Sequence, residues 1–467
     1  RERRESGGRF SFARLGEVLA GSRRKSKEGD KRQEALPLSD VAMSHTSWSG
    51  DPNTSSHSAA GSGVGGAQSA VASFGTESFN RSEAAGTLKS AFFAHCVAAL
   101  RRRLLLSNKI EEEASEVDQR RGVEIARRNS MARKLSTSPN VTIAHQVALL
   151  DNAGRTPTAL VFHPHAPLVL VADATSTISL WHYGDQITGC TSSVRNPNAI
   201  GTRLTSLLLL NESDPHLGLI LVGSDDGIVR AWRGFGQRGE ETLVGGWKTV
   251  PDMRPSPRGP GLVLHMLGNQ GRLLAGGDSP FLRVWDLQRE RCAQTLPTHA
   301  SGALTAITSC GDMNKAYMVT GAADGAVRLF DSRASNQEPA ITLNEHGSFI
   351  VGVEPLLSRG PHQLISGANT GEVKIWDLRG RRSVTTMQVH KERMSAMAVH
   401  PYAPLVATGS DGIINLHNIS GEAVHSIKYH DGFLGQRIGP VRCLALHPLK
   451  LVLAAGATDS IISIYSQ

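Results

Sequence analysis

The chain has 467 residues, with 50 Lys and Arg against 42 Asp and Glu, a formal net charge of +8. Hydrophobic residues make up 40% and charged residues 20%, which is the balance of an ordinary soluble protein and excludes a wholly disordered one. The five cysteines (Cys96, Cys190, Cys292, Cys310 and Cys443) form no C-x-x-C pair, which argues against a disulfide framework or a Cys-rich zinc site and fits free thiols in a reducing cytosol.

The chain opens on Arg1-Glu2-Arg3-Arg4 without an initiator Met, so a piece of a longer protein is expected. Length alone suggests about three domains. Charge divides the chain differently. Residues 1–140 hold 23 Lys/Arg and 16 Asp/Glu, a net of +7, while the rest holds 27 and 26. Nucleic-acid binders carry their excess on the folded part; here it sits on a tail, and no nucleic-acid partner is expected. Residues 1–87 read as a disordered arm, basic at Arg23-Arg24-Lys25-Ser26-Lys27 and then rich in Ser and Gly. The glycines from Gly61 to Gly66 lack the Lys-Ser/Thr of a phosphate loop.

Residues 88–140 read as one or two helices and a linker. Leu88, Phe92, Cys96, Ala99, Leu100 and Leu104 recur at helical spacing. The segment suits a helix lying on the neighbouring domain, or one meeting a partner or a membrane surface. Arg101, Arg102 and Arg103 break its apolar run, so no membrane span is expected. Ser130, Ser136 and Ser138 are candidate phosphorylation sites, because a phosphate there would pair with the neighbouring arginines.

From residue 158 the chain repeats. Each unit has an apolar run, a turn, a second apolar run, a tight turn and a third run with an aromatic or a stand-in at its end. The terminal residues are Trp181, Trp232, Trp285, Phe330, Trp376, His417 and Tyr465, at steps of 51, 53, 45, 46, 41 and 48. This is the period of propeller blades. In Val327-Arg328-Leu329-Phe330, Val and Leu share a face opposite Arg. The pairs Asp226-Gly227, Asp324-Gly325, Thr370-Gly371 and Asp411-Gly412 are hairpin turns in which Gly accepts the positive φ. The fold class expected is all-β, a seven-bladed propeller over residues 141–467. Its last unit stops after a third strand, so Val141 to Leu150 is expected to supply the missing fourth strand and close the ring.

Trp285-Asp286, Phe330-Asp331 and Trp376-Asp377 match the terminal dipeptide of WD repeats, and the chain resembles that family. His299 and His346 stand near its Gly-His position. By sequence, blade four fits the supporting hydrogen-bond pattern best, through His299, Thr320 and Asp324. His182, Arg233, Asn418 and Ser466 replace the terminal Asp elsewhere.

No catalytic or metal motif emerges, so neither an enzyme nor a bound cofactor or metal is expected. His163-Pro164, His400-Pro401 and His447-Pro448 recur after first strands and read as turn markers, too far apart around a ring to share an ion. Long connections are where partners bind. That singles out Trp247, Arg254 and Arg258 in one, and Tyr429, Phe433 and Arg437 in another. A tolerated surface insertion is the alternative reading of the first.

The run Ile427-Lys428-Tyr429-His430-Asp431-Gly432-Phe433-Leu434-Gly435-Gln436-Arg437-Ile438-Gly439, with Cys443-Leu444-Ala445-Leu446-His447-Pro448, resembles the C-terminal end of the Raptor family. The resemblance covers about residues 141–467. It implies a non-catalytic scaffold that helps assemble TOR complex one in nutrient-responsive growth signalling. It further implies TOR kinase complex subunits as partners, and a cytoplasmic location with recruitment to the lysosomal or vacuolar membrane through partners. A WD-repeat adaptor in ubiquitin ligation or vesicle traffic is the rival reading.

Overall fold

A computed structural model describes residues 142–467 and Ser130, apart from 185–186, 211–217, 237–238, 255, 257–258, 268–270, 288, 313–314, 335–336 and 429–438. The expected arm (1–87) and helical segment (88–140) therefore lie outside the described residues, Ser130 excepted.

The described chain forms seven four-stranded antiparallel sheets. Blades one to six run from first to fourth strand in chain order. They span Pro157–Phe162 to Ile187–Arg195, Leu204–Leu210 to Thr242–Lys248, Val263–Leu267 to Arg291–Pro297, Leu304–Asp312 to Ile341–Leu343, Ile350–Pro355 to Arg382–Gln388, and Ala396–Val399 to Ala423–Lys428. Blade seven takes Val441–Leu446, Val452–Ala457 and Ile461–Ser466, and its fourth strand is His145–Asp151. His145 lies opposite Ser466 and Leu150 opposite Ile462, with the Ala144 N–H donating to the Ser466 carbonyl at 3.1 Å. The expected closure is present, starting at His145 and not at Val141, which lies outside the described residues. First strands touch in cyclic order, the seventh meeting the first. Over the described residues the seven blades share one ring: no blade covers its own faces, so the unit of folding is the stack.

Second strands are buried along nearly their whole length, as the continuous apolar runs require. The core is divided into seven apolar clusters, one at each seam between neighbouring blades. Each terminal aromatic packs into the seam with the preceding blade: Trp181 against blade seven, Trp232 against one, Trp285 against two, Phe330 against three, Trp376 against four and Tyr465 against six. The seam between blades five and six has no such ring, and Met387, Met394 and Met397 fill it. The hairpin glycines Gly227, Gly325, Gly371 and Gly412 take φ near +80°. At Gly371 a Cβ would stand 2.3 Å from the His390 carbonyl oxygen, so that turn admits no side chain.

Antiparallel alternation gives the ring two faces. One carries the turns joining first to second and third to fourth strands. The other carries the tight hairpins and the connections between blades. On the first face a repeated bond ties the two turns of a blade together: Tyr183 N–H to the Pro167 carbonyl, Leu287 to Gly271, Leu378 to His362, and Ile419 to Pro404, at 3.0, 3.1, 3.0 and 3.2 Å.

Candidate protein-interaction surfaces

A propeller presents what its seams hold rigid. The most complete polar network is in blade five. The Trp376 Nε1–H donates to Ser366 Oγ at 2.7 Å, and Ser366 Oγ lies 2.7 Å from His346 Nε2. His346 Nδ1 meets Glu372 at 3.1 Å, and Lys374 meets the same carboxylate at 3.0 Å. The Glu372 carboxylate can only accept, so the imidazole carries its proton on Nδ1; in the neutral ring Nε2 then accepts from the serine hydroxyl, whose oxygen in turn accepts the indole N–H. Burial lowers the His346 pKa, with Glu372 opposing.

Blade four, expected to fit this pattern best, does not. Phe330 offers no indole N–H, and His299 turns outward to within 3.4 Å of Glu338. Thr320 donates to its own strand partner, the Arg328 carbonyl, at 3.4 Å. Asp324 is taken by the Arg328 guanidinium at 2.7 Å, which also reaches the His299 carbonyl at 3.0 Å. An arginine fork replaces the imidazole bridge.

Blade six is truncated differently. His390 Nε2 and Thr408 Oγ1 lie 3.0 Å apart, but His417 occupies the indole position and its buried Nδ1 has no partner. Desolvation lowers the pKa of both histidines. Trp232 and Trp285 anchor instead to the preceding connection, donating to Asn196 Oδ1 at 2.7 Å and to the Thr249 carbonyl at 3.1 Å. Trp181 is buried with its Nε1 unpartnered, and Tyr465 is buried in blade seven.

The three His-Pro turns share one geometry. The ring Nδ1 accepts from the backbone N–H groups two and three residues on: His165 and Ala166 for His163, Tyr402 and Ala403 for His400, Leu449 and Lys450 for His447, all within 2.9–3.2 Å. An imidazole that accepts twice at Nδ1 must stay neutral, and burial pushes His400 and His447 down to about 4. Blades six, seven and one are consecutive, and His400 and His163 are close enough to His447 to act on its charge. Among the described residues, no group of three or more His, Cys, Asp or Glu could hold a metal ion.

The described residues of the connection between blades two and three are docked at several points. Arg203 pairs with Asp225 at 3.2 Å and donates to the Ser256 and Gly259 carbonyls. Thr205 donates to the Leu262 carbonyl at 2.8 Å, while Asp252 accepts from Ser279 at 2.6 Å and pairs with Arg283. Trp247, expected in this loop, belongs to the fourth strand of blade two. It is buried edge-on against Trp285, with ring centroids 6.4 Å apart. Its neighbours in sequence, Gly246 and Lys248, read as loop, but alternation along the strand turns the indole into the seam. Arg254 is exposed, as is Ser130. Arg258, Tyr429, Phe433, Arg437, Ser136 and Ser138 lie outside the described residues.

Sequence reading missed a polar set on adjacent first strands. His265 Nε2 and Ser309 Oγ lie 2.8 Å apart, and burial takes the imidazole down to about 4. On the next first strand stands Glu354, whose side chain is exposed. A single His or Glu inside a hydrophobic run gives no periodic signal, so only the closed ring brings these strands side by side.

Comparison with known proteins supplies the relationship. The WD domain, G-beta repeat pattern matches residues 290–331 and 381–418. The chain is 38% identical over 337 residues to the protein raptor homolog of Dictyostelium discoideum, covering 70% of this chain and 22% of that protein. It is 32% identical to regulatory-associated protein of TOR 1 of Arabidopsis thaliana, covering 67% of this chain and 23% of the relative. The chain thus spans less than a quarter of the length of these two relatives. The crystal structure of Chaetomium thermophilum Raptor superposes with a TM-score of 0.62 at 27% identity, over 69% of this chain and 29% of that one.

Proposed function

From the premise that this chain corresponds to the C-terminal WD-repeat portion of Raptor-family proteins, we propose that it serves as a non-catalytic scaffold segment of a TOR complex one subunit. The observation that carries this is the 38% identity to a raptor homolog over 337 residues, a length far beyond a single repeat. The physical role is to hold interaction surfaces at fixed relative positions. Paired strands and seven filled seams fix the ring, and the turns and connections present side chains on its two faces. Partners are proteins, the TOR kinase and its associated subunits. The protein works in the cytoplasm and reaches a lysosomal or vacuolar membrane through them.

Affinity purification of the full-length native protein tests this. Recovery of TOR kinase supports the reading. Its reproducible absence, with ubiquitin-ligase or vesicle-coat components in its place, overturns it.

A further inference from the structure

Blades three and five carry the same turn between third and fourth strands. Asp286 lies opposite Arg291 in one, and Asp377 opposite Arg382 in the other. The residue before each arginine takes a left-handed backbone, Glu290 at φ 50° and Arg381 at φ 51°. The two turns differ in charge. In blade three, Arg289 pairs with Asp286 at 3.4 Å, and an acid, Glu290, stands between the two arginines Arg289 and Arg291 in sequence. Blade four neutralises its turn likewise, Arg333 meeting Asp331 at 2.9 Å. In blade five, Asp377 accepts only the Arg379 backbone N–H, at 3.0 Å, and leaves that guanidinium free. Arg381 stands where blade three has an acid, and Arg382 follows. The neighbouring turn, tied to this one by the bond from Leu378 to His362, adds Arg359.

All four arginines are exposed, and none has an ion pair or side-chain hydrogen bond among the described residues. The nearby acid Glu345 is committed elsewhere, accepting from Ser383 at 2.6 Å with Lys374 at 3.9 Å. Leu357 stands beside them 53% exposed.

We propose that the blade-five corner formed by Arg359, Arg379, Arg381 and Arg382, with Leu357, is a docking site for a short acidic segment of a partner protein, its carboxylates or phosphates paired by the guanidinium groups and an apolar side chain resting on Leu357. Free guanidinium forks match such oxyanions in pairs. A peptide suits the site better than a membrane or a nucleic acid. The excess is confined to one blade, and a flat or long anionic surface on this face would also meet Asp286, Glu290, Asp331 and Glu422. This inference does not depend on which complex the protein joins.

The test is fluorescence anisotropy with the 467-residue chain and a short leucine-containing polyglutamate peptide, its phosphoserine counterpart and a glutamine control. Vesicles of phosphatidylserine form a further arm. Reversing blade five (Arg379→Glu with Arg382→Glu) should weaken binding of one or both acidic peptides about tenfold or more, while reversing blade three (Arg289→Glu with Arg291→Glu) changes it less than about twofold. Which acidic peptide responds names the oxyanion. Arg381→Gly, which removes one charge and relaxes the left-handed backbone, should weaken binding while leaving the melting temperature unchanged or raised. Equal effects of the two reversals, no acidic-peptide binding, or blade-five-dependent binding of vesicles alone would overturn the proposal.

Discussion

The seam between blades four and five and the seam between blades five and six solve one packing problem in two ways. The first buries Trp376 completely and ties its indole through Ser366 and His346 to Glu372. The second has His417 in place of the indole, an unpartnered Nδ1, and three methionines where a flat ring would sit. Aromatic rings pack in few orientations, whereas unbranched thioethers adapt to irregular gaps. The first seam is specified by geometry and the second by volume, so they should respond differently to substitution and to acid.

The largest difference is expected from truncation. Trp376→Ala should cost about 3–5 kcal/mol, because the cavity it leaves is lined by blades that cannot collapse without breaking strand pairing. Urea denaturation of the purified chain measures this, and a loss below about 2 kcal/mol would break the comparison.

Acid is the next lever. His346 in the first seam, His390 and His417 in the second, and His400 and His447 in the His-Pro turns all have folded pKa values below the ordinary imidazole value. A base with a depressed folded pKa binds its proton more readily when unfolded. Its stabilisation is therefore complete above about pH 6.5 and is lost as pH falls through that value toward the folded pKa. With folded values of about 4, His400 and His447 should each withdraw about 2–3 kcal/mol between pH 6.5 and 4. His417→Phe should flatten this dependence in urea melts taken from pH 5 to 8 and add stability at pH 7. An unchanged slope would mean that His417 is not held neutral by burial.

The polar networks differ by less. Ser366→Ala strands both the Trp376 N–H and His346 Nε2 and should cost about 1–3 kcal/mol, whereas Thr408→Val removes one partner of His390 and should cost about 1 kcal/mol. The smallest effect is expected at Met394, where replacement by Leu conserves volume and should cost less than about 1.5 kcal/mol. A Met394→Leu penalty as large as that of Trp376→Ala would show that the second seam is as tightly specified as the first.

Much of this architecture was legible in the sequence. The 41–53-residue steps between terminal residues, the Asp-Gly turns and the missing last strand each reflect a local backbone requirement, and together they specify seven blades and their closure. What stayed hidden depends on side-chain direction across a seam. His299 and His346 look alike in sequence, yet one turns outward and the other bridges Ser366 and Glu372, because blade five supplies an indole donor where blade four has Phe330. Trp247 reads as loop because its strand neighbours are Gly246 and Lys248. The blade-five arginines were visible as residues, but their lack of partners was not. It emerges only when Asp286 and Asp331 are seen to neutralise the equivalent turns while Asp377 does not.

Everything rests on the ring being one closed body, joined where residues 145–151 pair with residues 461–466. Native-state hydrogen exchange on the intact chain tests that joint directly. Amides of the two strands should share one level of protection, and deleting residues 142–151 should strip protection from Ile461–Ser466 and lower the melting temperature. Rapid exchange across 145–151 beside a fully protected third strand, or a deletion that leaves the melting curve unchanged, would contradict the closed ring.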